Sequence, residues 1–150
     1  MQLDPTPLQT MDDAALDSLA LAHTRTVDAL AGFEVMVDKA EPQFRATAAR
    51  FRDLHRAHAA ALSTLLQQHG RTPDDDGTFM ASVNRLVVTA RAFFDEIDED
   101  VMDQVRNGED HVLAAYRDAE SGVPFPVVKS SIANLRTELE ALLAETRDLD

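Results

Sequence analysis

The sequence is poor in the residues that mark cross-linked or loop-rich proteins. It has no cysteine, 5 glycines and 6 prolines in 150 residues. Without cysteine the chain can form no disulfide, no thiol nucleophile and no thiolate-bound zinc or iron–sulfur site. The scarcity of glycine and proline, together with 45% hydrophobic residues, favours an all-helical fold. At this length we expect one domain around a single core.

Positive charge is also scarce. Lysine and arginine number 14 against 27 aspartates and glutamates, which gives a net charge of −13. Nucleic acids and anionic membranes are bound through clustered basic residues, so neither is an expected partner. The N-terminus lacks the basic start and apolar run of a signal peptide. No apolar run approaches the ~18–20 residues of a membrane-spanning helix. We therefore expect a cytoplasmic protein with an acidic surface.

The first part of the chain is predicted to be an extended segment followed by a long helix. Residues 1–10 contain two prolines, and the helical-bundle domain is predicted over residues 11–150. Asp12 or Asp13 can cap a first helix that runs to about Lys39. Its core-facing stripe combines apolar residues with two polar ones: Leu16, Leu19, His23, Val27, Leu30, Glu34 and Val37.

A second long helix is predicted from Pro42 to the residues before Gly70. Proline suits the first turn of a helix, and glycine suits a left-handed residue just after the last turn. The connection between the two helices is so short that they must form an antiparallel hairpin.

Three more helical segments follow. We predict a shorter helix over 78–95, a helix from about Asp98 to about Ser121, and a last helix from about Val128 that frays into the polar tail 145–150. Two topologies remain open for this order. The shorter helix can cross over between the second and third long helices, or a plain up-down bundle can contain one kinked long helix.

The candidate site lies where histidines replace leucines on the core face of the second helix. Imidazole nitrogens and carboxylate oxygens are the ligands of iron, manganese or zinc, and counting along the helices places several of them at a similar depth. The candidate metal ligands are His23, His55, His58 and Glu109, with Glu34 and Glu138 as further ones. The alternative is a structural role, in which neutral histidines bond to Thr26, Tyr116 or a carboxylate.

The spacing of these residues does not match a di-iron centre. Di-iron bundles carry a Glu-x-x-His pair on each of two helices. Here Arg52 lies three residues before His55, and His55 lies three residues before His58. Neither pair exists, which argues against a di-iron oxidase.

Two short motifs resemble a known family. DALAGF (Asp28–Phe33) and RNGEDHVLAAY (Arg106–Tyr116) are similar to motifs of the bacterial domain-of-unknown-function 2383 family, and the resemblance extends over roughly residues 16–147. It implies an all-α, ferritin-like four-helix bundle with an additional shorter helix between the second and third long helices. It implies no established activity, catalytic residue or cofactor.

These observations together favour a non-enzymatic interaction or stress-related module whose partner is another protein. A metal-binding bundle that takes Fe, Mn or Zn is the alternative function. A further alternative is a homodimer that forms through exposed apolar side chains. The candidate side chains are those of Phe33, Phe93, Phe94 and Phe125.

Overall fold

The computed structural model describes residues 11–73 and 101–148, and within these ranges the protein is all-α. These two ranges contain four helices and no β-strand: α1 Asp13–Lys39, α2 Pro42–Gln68, α3 Met102–Gly122 and α4 Pro126–Glu145. The helical fold class is confirmed. The shorter helix predicted over 78–95, the cap at Asp98 and the contacts predicted for Phe93 and Phe94 lie outside the described residues.

The helix ends follow from local sequence. The Asp12 carboxylate accepts a hydrogen bond of 2.8 Å from the Ala15 backbone N–H, which satisfies one of the free donors at the start of α1. Pro42 occupies the first turn of α2. After α2, Gly70 has a φ of 83°, a conformation that glycine adopts without the clash of a Cβ atom. All three features agree with the sequence-based predictions.

Contacts between helices give their relative directions. Short connections make α1–α2 and α3–α4 antiparallel hairpins. Along α1 and α3, Thr26 bonds to Tyr116, and a Cβ atom on Gly122 would lie 3.7 Å from the Ser18 hydroxyl. Residue numbers therefore rise on α1 as they fall on α3, so these helices are antiparallel. Because α1 is antiparallel to both, α2 and α3 run in the same direction.

The fourth helix completes the bundle. Arg50 and His58 of α2 approach Glu145 and Glu138 of α4, so α2 and α4 are antiparallel. In chain order the helices run up, down, down and up. At one end of the bundle the rings of His69 and Phe125 stack with centroids 5.5 Å apart. The C-terminus of α2 and the N-terminus of α3 consequently lie at opposite ends of the bundle.

One apolar core runs along the bundle axis. Its largest fully buried apolar side chains come from every helix, and each stabilises the fold by about 1.5–3 kcal/mol relative to exposure. They include Leu19, Phe51, Leu62, Leu66, Met102, Ile132 and Leu139.

Phe33 belongs to this core, contrary to its expected exposure. It is 4% exposed and stacks on Phe51 with ring centroids 5.0 Å apart. The stripe of α1 therefore continues from Leu30 to Phe33 rather than to Glu34, whose side chain is 50% exposed. Both positions follow Leu30 at helical spacing, and the apolar residue is the one that turns inward.

The end of α4 is held in place, where we predicted a frayed tail. Thr146 is 2% exposed. The Arg106 guanidinium of α3 donates to the backbone carbonyls of Thr146 and Arg147, at 3.0 and 2.8 Å. A cation that bonds the last carbonyls of a helix satisfies free acceptors and offsets the helix dipole.

Within residues 11–73 and 101–148, no helix combines the length and the apolar character that crossing a membrane requires.

Candidate functional site

A layer of polar side chains crosses the middle of the core. His23 from α1, His55 and His58 from α2, and Glu109 from α3 are each at most 2% exposed. They occupy positions of the apolar stripes that would otherwise hold leucine or phenylalanine. Since buried polar groups are costly without partners, their contacts decide what this layer can do.

The first contact is a histidine–glutamate pair. His55 Nε2 lies 2.7 Å from Glu109 Oε2, and the His55 ring stacks on Phe33 at 5.4 Å. His55 Nδ1 is buried and has no hydrogen-bond partner among the described residues. We assign the proton to Nε2, which donates to the carboxylate, because the alternatives would leave a buried N–H donor at Nδ1 without an acceptor.

The second contact is a chain of hydrogen bonds with a defined direction. The Thr26 hydroxyl donates its one proton to the Ala22 carbonyl at 2.8 Å. Thr26 Oγ1 must then accept from the Tyr116 hydroxyl, which lies 2.8 Å away. The hydroxyl proton of Tyr116 is directed to Thr26, so the Tyr116 oxygen accepts a hydrogen bond from His58 Nδ1 at 3.3 Å. His58 is therefore the tautomer with the proton on Nδ1.

The tautomer leaves a lone pair on His58 Nε2. This atom is buried, has no hydrogen-bond partner among the described residues, and lies 3.8 Å from Glu138 Oε2. Burial, and next the nearby His55, lower the pKa of His58 to about 4, since a buried imidazolium loses its hydration. The ring is neutral at pH 7.

Tyr116 is also kept uncharged. Burial is the main cause that raises its pKa, and the carboxylates of Glu109 and Glu138 raise it further. The phenol is therefore a hydrogen-bonding group at physiological pH and not a phenolate ligand or base.

The predicted ligand set is only partly brought together. His23, His55, His58 and Glu109 are buried, whereas the two further candidates, Glu34 and Glu138, are exposed. The Glu34 side chain approaches Arg56 at 3.9 Å, and the Glu138 side chain is 58% exposed beside His58. Within residues 11–73 and 101–148, no three histidine, aspartate or glutamate side chains are arranged to hold a metal ion.

The sequence does not predict Phe33 as a partner of the layer, because Phe33, whose ring stacks on His55, is expected at the surface. It also gives no sign of the contact between Arg136 and Glu120 of α3, although the i,i+4 spacing of Arg136 and Glu140 is a recognisable helix pair.

The fold and site thus define an all-α four-helix bundle with a buried histidine–glutamate–tyrosine layer. The family described as "Domain of unknown function (DUF2383)" matches residues 14–121. The chain belongs to this family, as the two motifs indicated. The match covers nearly all of α1 and all of α2 and extends to the last turn of α3. No curated protein and no solved structure matches the chain.

Proposed function

We propose that this protein is a ferritin-like four-helix bundle that acts as a non-enzymatic interaction or stress-related module. The helix order up, down, down, up supports the ferritin-like assignment. In that topology the second and third helices are parallel and are joined by a crossover between opposite ends of the bundle.

The observation that carries the non-enzymatic role is how the polar layer is bonded. His55 bonds to Glu109, and His58 bonds through Tyr116 to Thr26. These contacts join α1, α2 and α3 across the core. Hydrogen bonds between buried side chains of different helices specify how a core packs. These side chains therefore hold the three helices together, and among the described residues the network leaves His55 Nδ1 and His58 Nε2 without a hydrogen bond.

Binding then takes place at the surface, and a groove between α2 and α4 is available for it. The groove has a volume of about 290 Å³ and is lined by Ala61, Thr64, Leu65, Gln68, Ser131 and Leu135. Half of these lining residues are apolar and half are polar, and protein-binding surfaces likewise combine apolar and polar groups.

Iron oxidation is the decisive assay for the non-enzymatic role. The purified protein, mixed with Fe(II) and either oxygen or peroxide, is expected to oxidise iron no faster than buffer. Turnover that exceeds the buffer rate and is lost in Glu109→Gln would contradict the proposal.

The binding role is tested by a photo-crosslinking residue at Gln68, in the groove, and at Asp110, on the exposed face of α3. We expect a discrete crosslinked protein from Gln68 alone. Sedimentation at two concentrations then shows whether that partner is a second copy of the chain. Crosslinking that is absent from both positions would count against an interaction module.

A metal-binding bundle is the second candidate function. Two buried nitrogens with free lone pairs, His55 Nδ1 and His58 Nε2, favour it. The ion would be iron, manganese or zinc, held by side chains from the predicted set. Elemental analysis of the wild type and of a His58→Ala variant, both purified without chelator, tests this function. We expect metal in the wild type and its loss in the variant. A wild type that is purified without metal and takes up none when metal is added would contradict the function.

A further inference from the structure

We propose that a zinc-class divalent cation binds at the seam between α2 and α4, between His58 Nε2 and a carboxylate oxygen of Glu138. This inference rests on the second candidate function and assigns it two residues. The buried His58 Nε2 has no hydrogen-bond partner among the described residues, and it faces Glu138 Oε2.

The first argument is the direction of the hydrogen bonds. Thr26 donates to the Ala22 carbonyl, Tyr116 donates to Thr26, and His58 Nδ1 donates to Tyr116. The proton of the imidazole is thus fixed on the side away from Glu138. Histidines that bind metals commonly donate their other ring N–H to a neighbouring group, which orients the ring. Tyr116 supplies that support here.

The second argument is distance. Zinc–nitrogen and zinc–oxygen bonds of about 2.0–2.2 Å put two tetrahedral ligand atoms roughly 3.3–3.5 Å apart. His58 Nε2 and Glu138 Oε2 are 3.8 Å apart. A small rotation of the Glu138 side chain, which is largely exposed, closes the difference. Because the His58 proton lies on Nδ1, Nε2 has no proton to donate to the carboxylate, and a cation can lie between the two atoms.

The third argument is room for the remaining ligands. Ala61 lies one turn after His58, and Leu135 lies one turn before Glu138, so the α2–α4 groove begins beside the pair. Water in this groove can complete the coordination. Imidazole nitrogen favours zinc and its neighbours in the first transition row over calcium or magnesium.

The His55–Glu109 pair does not offer the same site. Its two atoms are 2.7 Å apart, which is the length of a charge-assisted hydrogen bond with a proton in place. Both side chains are held in the core, so neither can move aside for an ion as Glu138 can.

The test is calorimetric titration of metal-free protein with Zn²⁺ at pH 7. The wild type is expected to bind one ion per chain. Glu138→Gln keeps the size of the side chain and removes the charge, and it should weaken the affinity at least tenfold. Asp118→Asn is the control because it removes an exposed carboxylate of α3 that belongs to no predicted ligand set, and it should change the affinity less than twofold.

His58→Gln is the second variant, and its circular dichroism spectrum verifies that it folds. Loss of binding in both His58→Gln and Glu138→Gln supports the site. If Zn²⁺ binds and Glu138→Gln changes the affinity no more than Asp118→Asn does, the assignment to the α2–α4 seam is wrong, while the metal-binding function stands. If the wild type binds no Zn²⁺, the site proposed here fails. The non-enzymatic role is decided separately, by the iron oxidation assay.

Discussion

At the scale of single residues, polar side chains that are buried in the core form hydrogen bonds with one another. His55 and Glu109 share one hydrogen bond across α2 and α3, and Tyr116 links Thr26 to His58. Pairing of this kind makes the removal of one member costlier than the removal of both, because a single substitution leaves a buried group without its partner.

A double-mutant cycle on the His55–Glu109 pair tests this statement. Glu109→Leu fills a similar volume but leaves the His55 N–H without an acceptor, and it should lower the free energy of unfolding by roughly 1–3 kcal/mol. Adding His55→Phe removes the unsatisfied donor and keeps a ring against Phe33, so the double variant should recover most of the loss. Urea unfolding followed by circular dichroism measures both.

The control for this cycle is Asp110→Asn, an exposed neighbour of Glu109, which should leave the free energy of unfolding nearly unchanged. A double variant whose loss equals the sum of the two single losses would show that the pair is not coupled.

Tyr116 gives a second residue-level prediction, since it is the one tyrosine in the chain. Its pKa is raised in the folded protein, chiefly by burial. The stabilisation from the neutral phenol is therefore complete below the unfolded value of about 10 and is lost progressively above it. Absorbance at alkaline pH should change only as the helical circular dichroism is lost, whereas in urea Tyr116 should titrate near its ordinary value. A phenolate that forms near pH 10 in the folded protein would contradict its burial.

At the scale of helices, local sequence predicted the ends well. Asp12, Pro42 and Gly70 each act through their own backbone or a neighbour within three residues, so their roles can be inferred without the rest of the chain. The hydrogen bonds by which Arg106 holds the end of α4 could not be inferred this way. The carbonyls that Arg106 bonds lie 40 and 41 residues away in sequence, and only packing brings them together.

The glycines provide a matched pair at this scale. Gly70→Ala should lower the free energy of unfolding by roughly 1–2 kcal/mol, because an L side chain is strained at positive φ. Gly108→Ala should raise it by roughly 0.5–1 kcal/mol, because Gly108 lies within α3 and alanine is the better helix former. A Cβ atom on Gly108 meets nothing within 4 Å. Thermal or urea unfolding measures both, and equal signs for the two variants would contradict the assigned end of α2.

At the scale of the whole molecule, the sequence left the direction of the third long helix open. Hydrophobic stripes define which face of a helix is buried but not which way the helix runs. For the same reason the depth of Glu109 could be predicted, while its pairing with His55 and the outward position of Glu138 could not. The contacts of α1 with α3 show that α3 runs parallel to α2. In this arrangement the histidines of α2 lie beside Glu109 and Tyr116 of α3.

The parallel course of α2 and α3 is the central claim, because the polar layer and the proposed ferritin-like topology both depend on it. Spin-label distances test it directly, and the absence of native cysteine allows labels at chosen sites. Two double variants share Ser121→Cys near the end of α3. One adds Gln68→Cys at the end of α2, and the other adds Gln43→Cys at its start, all at exposed positions.

The structure predicts a short distance between positions 68 and 121 and a distance longer by roughly 20 Å between 43 and 121, since about 25 residues at ~1.5 Å each separate 43 from 68. The reverse order of the two distances would mean that α2 and α3 are antiparallel. It would contradict the account of both the fold and the polar layer.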